Sequence, residues 1–174
     1  MYNIGEMVIY GESGVCRITD ISERSTLGNE DVKAMYYTMQ PCYQGYTIYA
    51  PVENCKVFMR PIISKEEAIE LIDKIPSIKA TIYQGISLRE LVERYESMIK
   101  THSCDDLCKL TKSIHAKKLE CIRNKRKVGA VDEKYMKKAE DLLFGELAVV
   151  LDIPKNEVSS FIEKRIGPEE KYAM

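Results

Sequence analysis

The chain has no tryptophan, two histidines and no apolar stretch of membrane-crossing length. The longest unbroken apolar run in its back half, Leu147–Leu151, falls far short of the ~20 residues a spanning helix needs, so no membrane partner is expected. The opening segment, Met1–Ser13, has no basic region followed by an apolar block, and no secretory signal is expected. Six cysteines (Cys16, Cys42, Cys55, Cys104, Cys108 and Cys121) show no disulfide-framework spacing. They read as reduced thiols that pack as small apolar groups, with the cytoplasm as the default address. His102, Cys104 and Cys108 are close in sequence, but three ligands at a helix start fall short of a structural zinc box. A Cys–His pair using His115 has no orienting third group. No phosphate loop or nucleophile–base pair stands out, so no metal, no cofactor and no catalysis are expected.

What the chain does have is one concentrated block of positive charge. Eleven of its 26 Lys and Arg residues lie between Lys109 and Lys138, against three acids, Glu120, Asp132 and Glu133. That block is +8; the other 15 cations and 24 acids make −9, which gives the chain's −1. The field of a protein follows from where charge sits, so a near-neutral total conceals a site suited to a polyanion. Nucleic acid is the first partner to consider.

Patterning changes near residue 62. Residues 1–62 hold seven of the eleven tyrosines and five of the nine glycines. Gly5–Tyr10, Val15–Ile21, Lys33–Gln40 and Tyr46–Ala50 read as short strands, with Val57–Met59 as a last one. Gly11–Gly14, Gly28–Asn29 and Gln44–Gly45 read as the turns between them. Strands this short and close suit a small bent sheet that closes into a barrel. From Ser64 onward helix signals take over. Ser64 with Glu67 and Ser87 with Glu90 read as capping boxes, and Ser103 with Asp106 as a weaker one. Helices are predicted over 65–75, 88–100, 104–127, 132–152 and 154–166, with a loop over 77–86. Pro76 stops the first, Gly129 ends the third, Pro154 opens the last and Gly167-Pro168 closes it. Apolar residues at intervals of three and four support them: Leu88, Leu91, Val92, Tyr95 and Ile99, then Leu107, Leu110, Ile114 and Cys121. The fold class is α+β in two modules, an all-β module over 1–62 and an all-α module over 63–174.

Gly5–Ile21, Tyr46–Asn54, Met59-Arg60-Pro61, Arg94-Tyr95, Lys138-Ala139 and Phe144–Ala148, taken in that order along the chain, resemble motifs of the CarD/CdnL family of bacterial transcription regulators. Gly5–Ile21 is similar to that family's opening, with Tyr10, Gly14 and Val15 in place and Gly11 where a proline is usual. Tyr46–Asn54 resembles its strand ending in Pro-x-Glu-Asn, and Met59-Arg60-Pro61 its junction to the helical half. Arg94-Tyr95, Lys138-Ala139 and Phe144–Ala148 resemble helical motifs of the family. The resemblance implies a Tudor-like (SH3-like) barrel that binds the RNA polymerase β subunit. It also implies a helical module that binds promoter DNA and stabilises the open complex, without catalysis. Carried over residue by residue, the polymerase-binding set is Arg24 with the strand Tyr46, Thr47, Ile48, Tyr49, Ala50 and Pro51. The DNA-binding set is Leu91, Arg94, Lys117, Lys118, Arg123, Lys125, Arg126, Lys127, Lys134 and Lys138. Leu91 stands where the family commonly has a tryptophan wedge, although its place on the 88–99 apolar stripe reads more simply as core, and Glu93 and Glu96 stand where similar sequences are basic. The expectation is a cytoplasmic, nucleoid-associated monomer whose DNA contacts go mostly to phosphates. Two alternatives stay open: a stand-alone nucleic-acid adaptor, or a scaffold whose basic helix meets an acidic protein.

Overall fold

The apolar alternation of the first 62 residues becomes a five-stranded antiparallel sheet in the computed structural model, which describes residues 1–26 and 29–167. The strands are β1 (Met7–Tyr10), β2 (Val15–Thr26), β3 (Asn29–Pro41), β4 (Ile48–Pro51) and β5 (Met59–Pro61). Their order is β4-β3-β2-β1-β5, which makes β4 and β5 the two edges. A flat sheet of this width would hold its edges roughly 19 Å apart, at ~4.8 Å per strand. Instead Ile48 and Ala50 of β4 share one apolar cluster with Val8 of β1 and Met59 of β5. The barrel read from the sequence therefore takes the form of a sheet curled round that cluster, with no β4–β5 ladder among the described residues.

The β2–β3 hairpin runs further than its apolar pattern predicts. Residues Ser22–Ser25 stay in register with Tyr36–Lys33 although their sequence is polar on both faces. Each arm satisfies the other's backbone, so no buried face, and hence no period-two signal, is needed there. The turn expected at Gly28–Asn29 lies outside the described residues, except that Asn29 already belongs to β3. Gly11 opens a single 3-10 turn at φ 47, and a Cβ there would meet Val57 Cγ1 at 2.8 Å. Proline, fixed near φ −65°, could not adopt this backbone, and the positive φ together with the close approach of Val57 favours glycine here.

The chain divides into two compact units, Met1–Ile62 and Ile63–Met174. The second contains α1 (Lys65–Lys74), α2 (Leu88–Lys100), α3 (Cys104–Arg123), α4 (Ala130–Leu151) and α5 (Val158–Ile166). Their apolar faces meet in one core, with Leu71, Tyr95, Leu110, Leu147 and Ile162 all at most 5% exposed. Ser64 and Glu67 form the full capping box, at 3.1 and 2.7 Å. Ser87 makes only its half, accepting from Glu90 N–H at 3.2 Å, because the Glu90 carboxylate is engaged by Arg94. Ser103 makes no side-chain cap bond. Pro154 leads into a 3-10 turn over Lys155–Glu157, so α5 starts later than predicted, and Pro168 lies outside the described residues. Asp73 and Arg165 join α1 to α5 through two hydrogen bonds of 2.6 and 2.7 Å. No helix among the described residues is long and apolar enough to cross a membrane.

The third helix departs most from its sequence reading. It ends at Arg123, and Gly129 is the N-cap of α4 rather than the terminator of α3. The chain leaves α3 through a Schellman turn, with Arg126 N–H donating to Cys121 O at 2.8 Å and Lys125 N–H to Ile122 O at 3.0 Å. The left-handed residue is Lys125, at φ 54. That conformation costs roughly 1–2 kcal/mol for a residue with a Cβ, and because lysine holds it in place of the usual glycine, no local signal marked the boundary. The basic block, Lys109–Lys138, thus runs through most of α3, the turn that follows it and the start of α4.

Candidate functional site

Two surfaces emerge, one in each unit. In the first, β4 pairs with β3 on one side and, among the described residues, with no strand on the other. Val52 N–H donates to Met35 O at 2.9 Å, and bonded pairs alternate along an antiparallel ladder. With Tyr37 opposite Ala50 and Thr38 opposite Tyr49, Ile48 and Ala50 turn their backbone groups to β3. Tyr49 N–H and C=O and Pro51 C=O then face outward. Proline has no N–H to leave unpaired, which suits an edge position.

The residues carried over for this face separate accordingly. Arg24, on exposed β2, sits with its guanidinium carbon 4.0 Å from the centroid of the Tyr49 ring, so the structure brings these two together. Ile48 is half-buried, and Tyr49 is 51% exposed. Ala50 is a correction: its side chain is fully buried and its backbone is turned inward, leaving nothing for a partner. Tyr46 and Thr47 precede the strand rather than belong to it, and the Tyr46 hydroxyl donates to Ser13 Oγ at 3.3 Å. Sequence reading missed an open cleft of about 490 Å³ beside this edge, whose lining includes Tyr2, Tyr37, Pro51, Val52 and Phe58. Only the curl of the sheet brings those residues together.

In the second unit eight of the ten DNA-binding candidates fall into three groups, and Lys134 and Lys138 stand apart on α4. Leu91 is a correction: at 6% exposed it belongs to the core with Tyr95 and Ile99, and no wedge projects from it. Arg94 bonds Glu90 at 2.9 Å and lies 5.0 Å over the Tyr83 ring. Arg89–Glu93 and Lys100–Glu96 pair likewise, so α2 neutralises its own outer face. The Glu96 carboxyl is held below the usual carboxylate range, first by the Tyr135 hydroxyl and then by Lys100, with Lys138 adding to it.

Lys117 forms the second group. Its ammonium lies 2.9 Å from Asp132, which is 3% exposed and also accepts from the Tyr95 hydroxyl at 2.7 Å. This junction ties α2, α3 and the start of α4 together, and Gly129 leaves it room, since a Cβ there would come within 2.9 Å of Asp132 Oδ2. Lys117 is thereby committed to the fold. Asp132→Ala would strand a buried hydroxyl and a half-buried ammonium, and a loss of about 3–5 kcal/mol in unfolding free energy is expected by urea titration; a loss under ~1 kcal/mol would refute that role. Lys112, also in the basic block, is 1% exposed and donates to Ile75 O at 2.7 Å.

The third group is Lys118, Arg123, Lys125, Arg126 and Lys127. All five are exposed, and none is paired with a carboxylate among the described residues. Four of them fall within five residues at the C-terminal end of α3, where helix carbonyls favour cations. Lys134 is exposed on α4, 5.5 Å over the Tyr135 ring, and Lys138 is half-buried nearby in sequence. Ile122, 60% exposed, stands among the five. The cysteines have another role: Cys104 donates to the buried Glu146 carboxylate at 3.1 Å, and burial pushes the Cys108 thiol up to about 12, far from a ready ligand or nucleophile.

Comparison with known proteins bears on the first unit. Residues 2–63 match the family model described as the CarD-like/TRCF RID domain, a span that includes all five strands. No curated protein matches the chain. The amino-terminal unit is thus similar to the CarD-like/TRCF RID domain, a likeness that covers 62 of the chain's 174 residues and is consistent with the CarD/CdnL resemblance.

Proposed function

We propose that the chain is a non-catalytic transcription regulator that docks on the RNA polymerase β subunit through its first unit and contacts promoter DNA through its second, stabilising the open complex. The observation that carries this reading is the open β4 edge within the CarD-like domain. A partner strand laid along that edge would bond Tyr49 N–H and C=O and Pro51 C=O, a form of β-augmentation. Arg24, stacked on Tyr49, adds a cation beside the docked strand. On the second unit, Arg123, Lys125, Arg126 and Lys127 meet phosphates without reading bases. Each contact raises the effective concentration for the other, so binding tightens on the polymerase–promoter assembly while the free chain holds DNA weakly.

Arg24→Glu tests the docking face. The stack contributes about 0.5–1 kcal/mol, and reversal also places an anion beside the partner, so capture of purified polymerase should fall several-fold. Unchanged capture would remove Arg24 from the interface.

A further inference from the structure

The second unit holds an open cleft of about 300 Å³ between the loop before α2 and the end of α3. Its lining is apolar at Ile86 and Leu91 and polar at Gln84, Glu120 and Asn124, with Lys117 and Arg126 supplying positive charge. The Gln84 amide donates to Glu120 Oε2 at 2.6 Å, which leaves Oε1 and the second lone pair of Oε2 able to accept from a ligand. Lys117 is fixed by Asp132, whereas Arg126 is exposed.

We propose that this cleft binds a guanine nucleotide. Among the nucleobases, guanine alone presents two adjacent N–H donors, N1–H and the N2 amino group, in the spacing a carboxylate accepts bidentately. Adenine offers an acceptor at N1 to the same carboxylate and is repelled. Glu120 thus selects the base and the Asn124 amide reaches O6. The base plane lies on the apolar lining, and the Arg126 guanidinium takes the phosphate. The ligand is either a free nucleotide or an unpaired guanine within a strand; the choice of ligand class rests on the nucleic-acid reading of this unit.

Titration of the full chain with GMP, AMP and CMP, followed by amide chemical shifts, tests the assignment. GMP is expected to bind at least about tenfold tighter than the others, with shifts at Gln84, Glu120, Asn124 and Arg126. Glu120→Gln should erase that preference, and Arg126→Ala should weaken GMP but not guanosine. A single-stranded trinucleotide with a central guanine, compared with a central adenine, separates the sources: preference in the strand alone identifies nucleic acid, and preference for GMP identifies a free nucleotide. Both outcomes support the site. Absence of guanine preference in both arms overturns it, as does a preference that survives Glu120→Gln. Should Glu120→Gln loosen the loop through Gln84, the wild-type shifts and Arg126→Ala decide alone. Lys127→Ala, outside the cleft, should leave GMP binding unchanged; if it weakens duplex binding while no guanine preference exists, the DNA reading stands and the cleft proposal fails.

Discussion

Tyr49→Pro is expected to abolish capture of RNA polymerase while leaving the protein folded. The Tyr49 N–H faces the open side of β4, so proline removes no bond to β3. On the open side it deletes a donor and sets its ring against the incoming strand. Two effects then combine: a lost backbone hydrogen bond, net ~1 kcal/mol, and a partner carbonyl left desolvated and unpaired, ~1–3 kcal/mol. Together they correspond to roughly a 30- to 1,000-fold weaker complex. Ala50→Pro is the control with the opposite signature. Its N–H belongs to the β3 ladder and its side chain is fully buried, so the first unit should itself be destabilised. Thermal denaturation and a polymerase binding assay, run on both variants, separate loss of docking from loss of fold.

The second large effect concerns the cations at the end of α3. Each phosphate contact contributes about 0.9 to the slope of log affinity against log salt. If Arg123, Lys125, Arg126 and Lys127 each hold one phosphate, raising salt fourfold should weaken the promoter contact by roughly a hundredfold. Replacing all four with Ala should flatten that slope by about 3–4 and shorten the open-complex lifetime in proportion. Measurement belongs on the polymerase–promoter complex, where tethering makes the contact visible. A quadruple variant with an unchanged slope would move the DNA contact elsewhere. Replacing Lys125 also removes a side chain held at φ 54, and alanine keeps the Cβ, so the turn itself is not relieved.

Much of this arrangement was legible in the sequence, and the failures share a cause. Strand positions and helix starts carry local signals: Ser64 with Glu67 forms its box, and Leu91, Tyr95 and Ile99 of one stripe and Leu107, Leu110 and Ile114 of the other are buried, although Leu88 is 65% exposed. Gly129 was misread because a glycine between helices suits either end, and only Asp132, packed against it, shows that it opens α4. Charge counting could not tell Lys112 and Lys117 from Lys125 and Arg126. Two are committed to backbone carbonyls and a buried carboxylate from distant segments, and two are exposed. Leu91 occupies a core position on the apolar stripe, and a family position alone said nothing of its burial. Arg24 and Tyr49 were each identified separately; their stacking depends on the ladder that runs from β2 through β3 to β4.

Amide hydrogen exchange at β4, with and without polymerase, reads the docking contact at the atom that makes it. The Tyr49 amide should exchange quickly in the free chain and become protected on binding, while the Ala50 amide, already bonded to β3, changes little. Polymerase bound at saturation with the Tyr49 amide still exchanging freely would show that the edge is not where the two proteins meet.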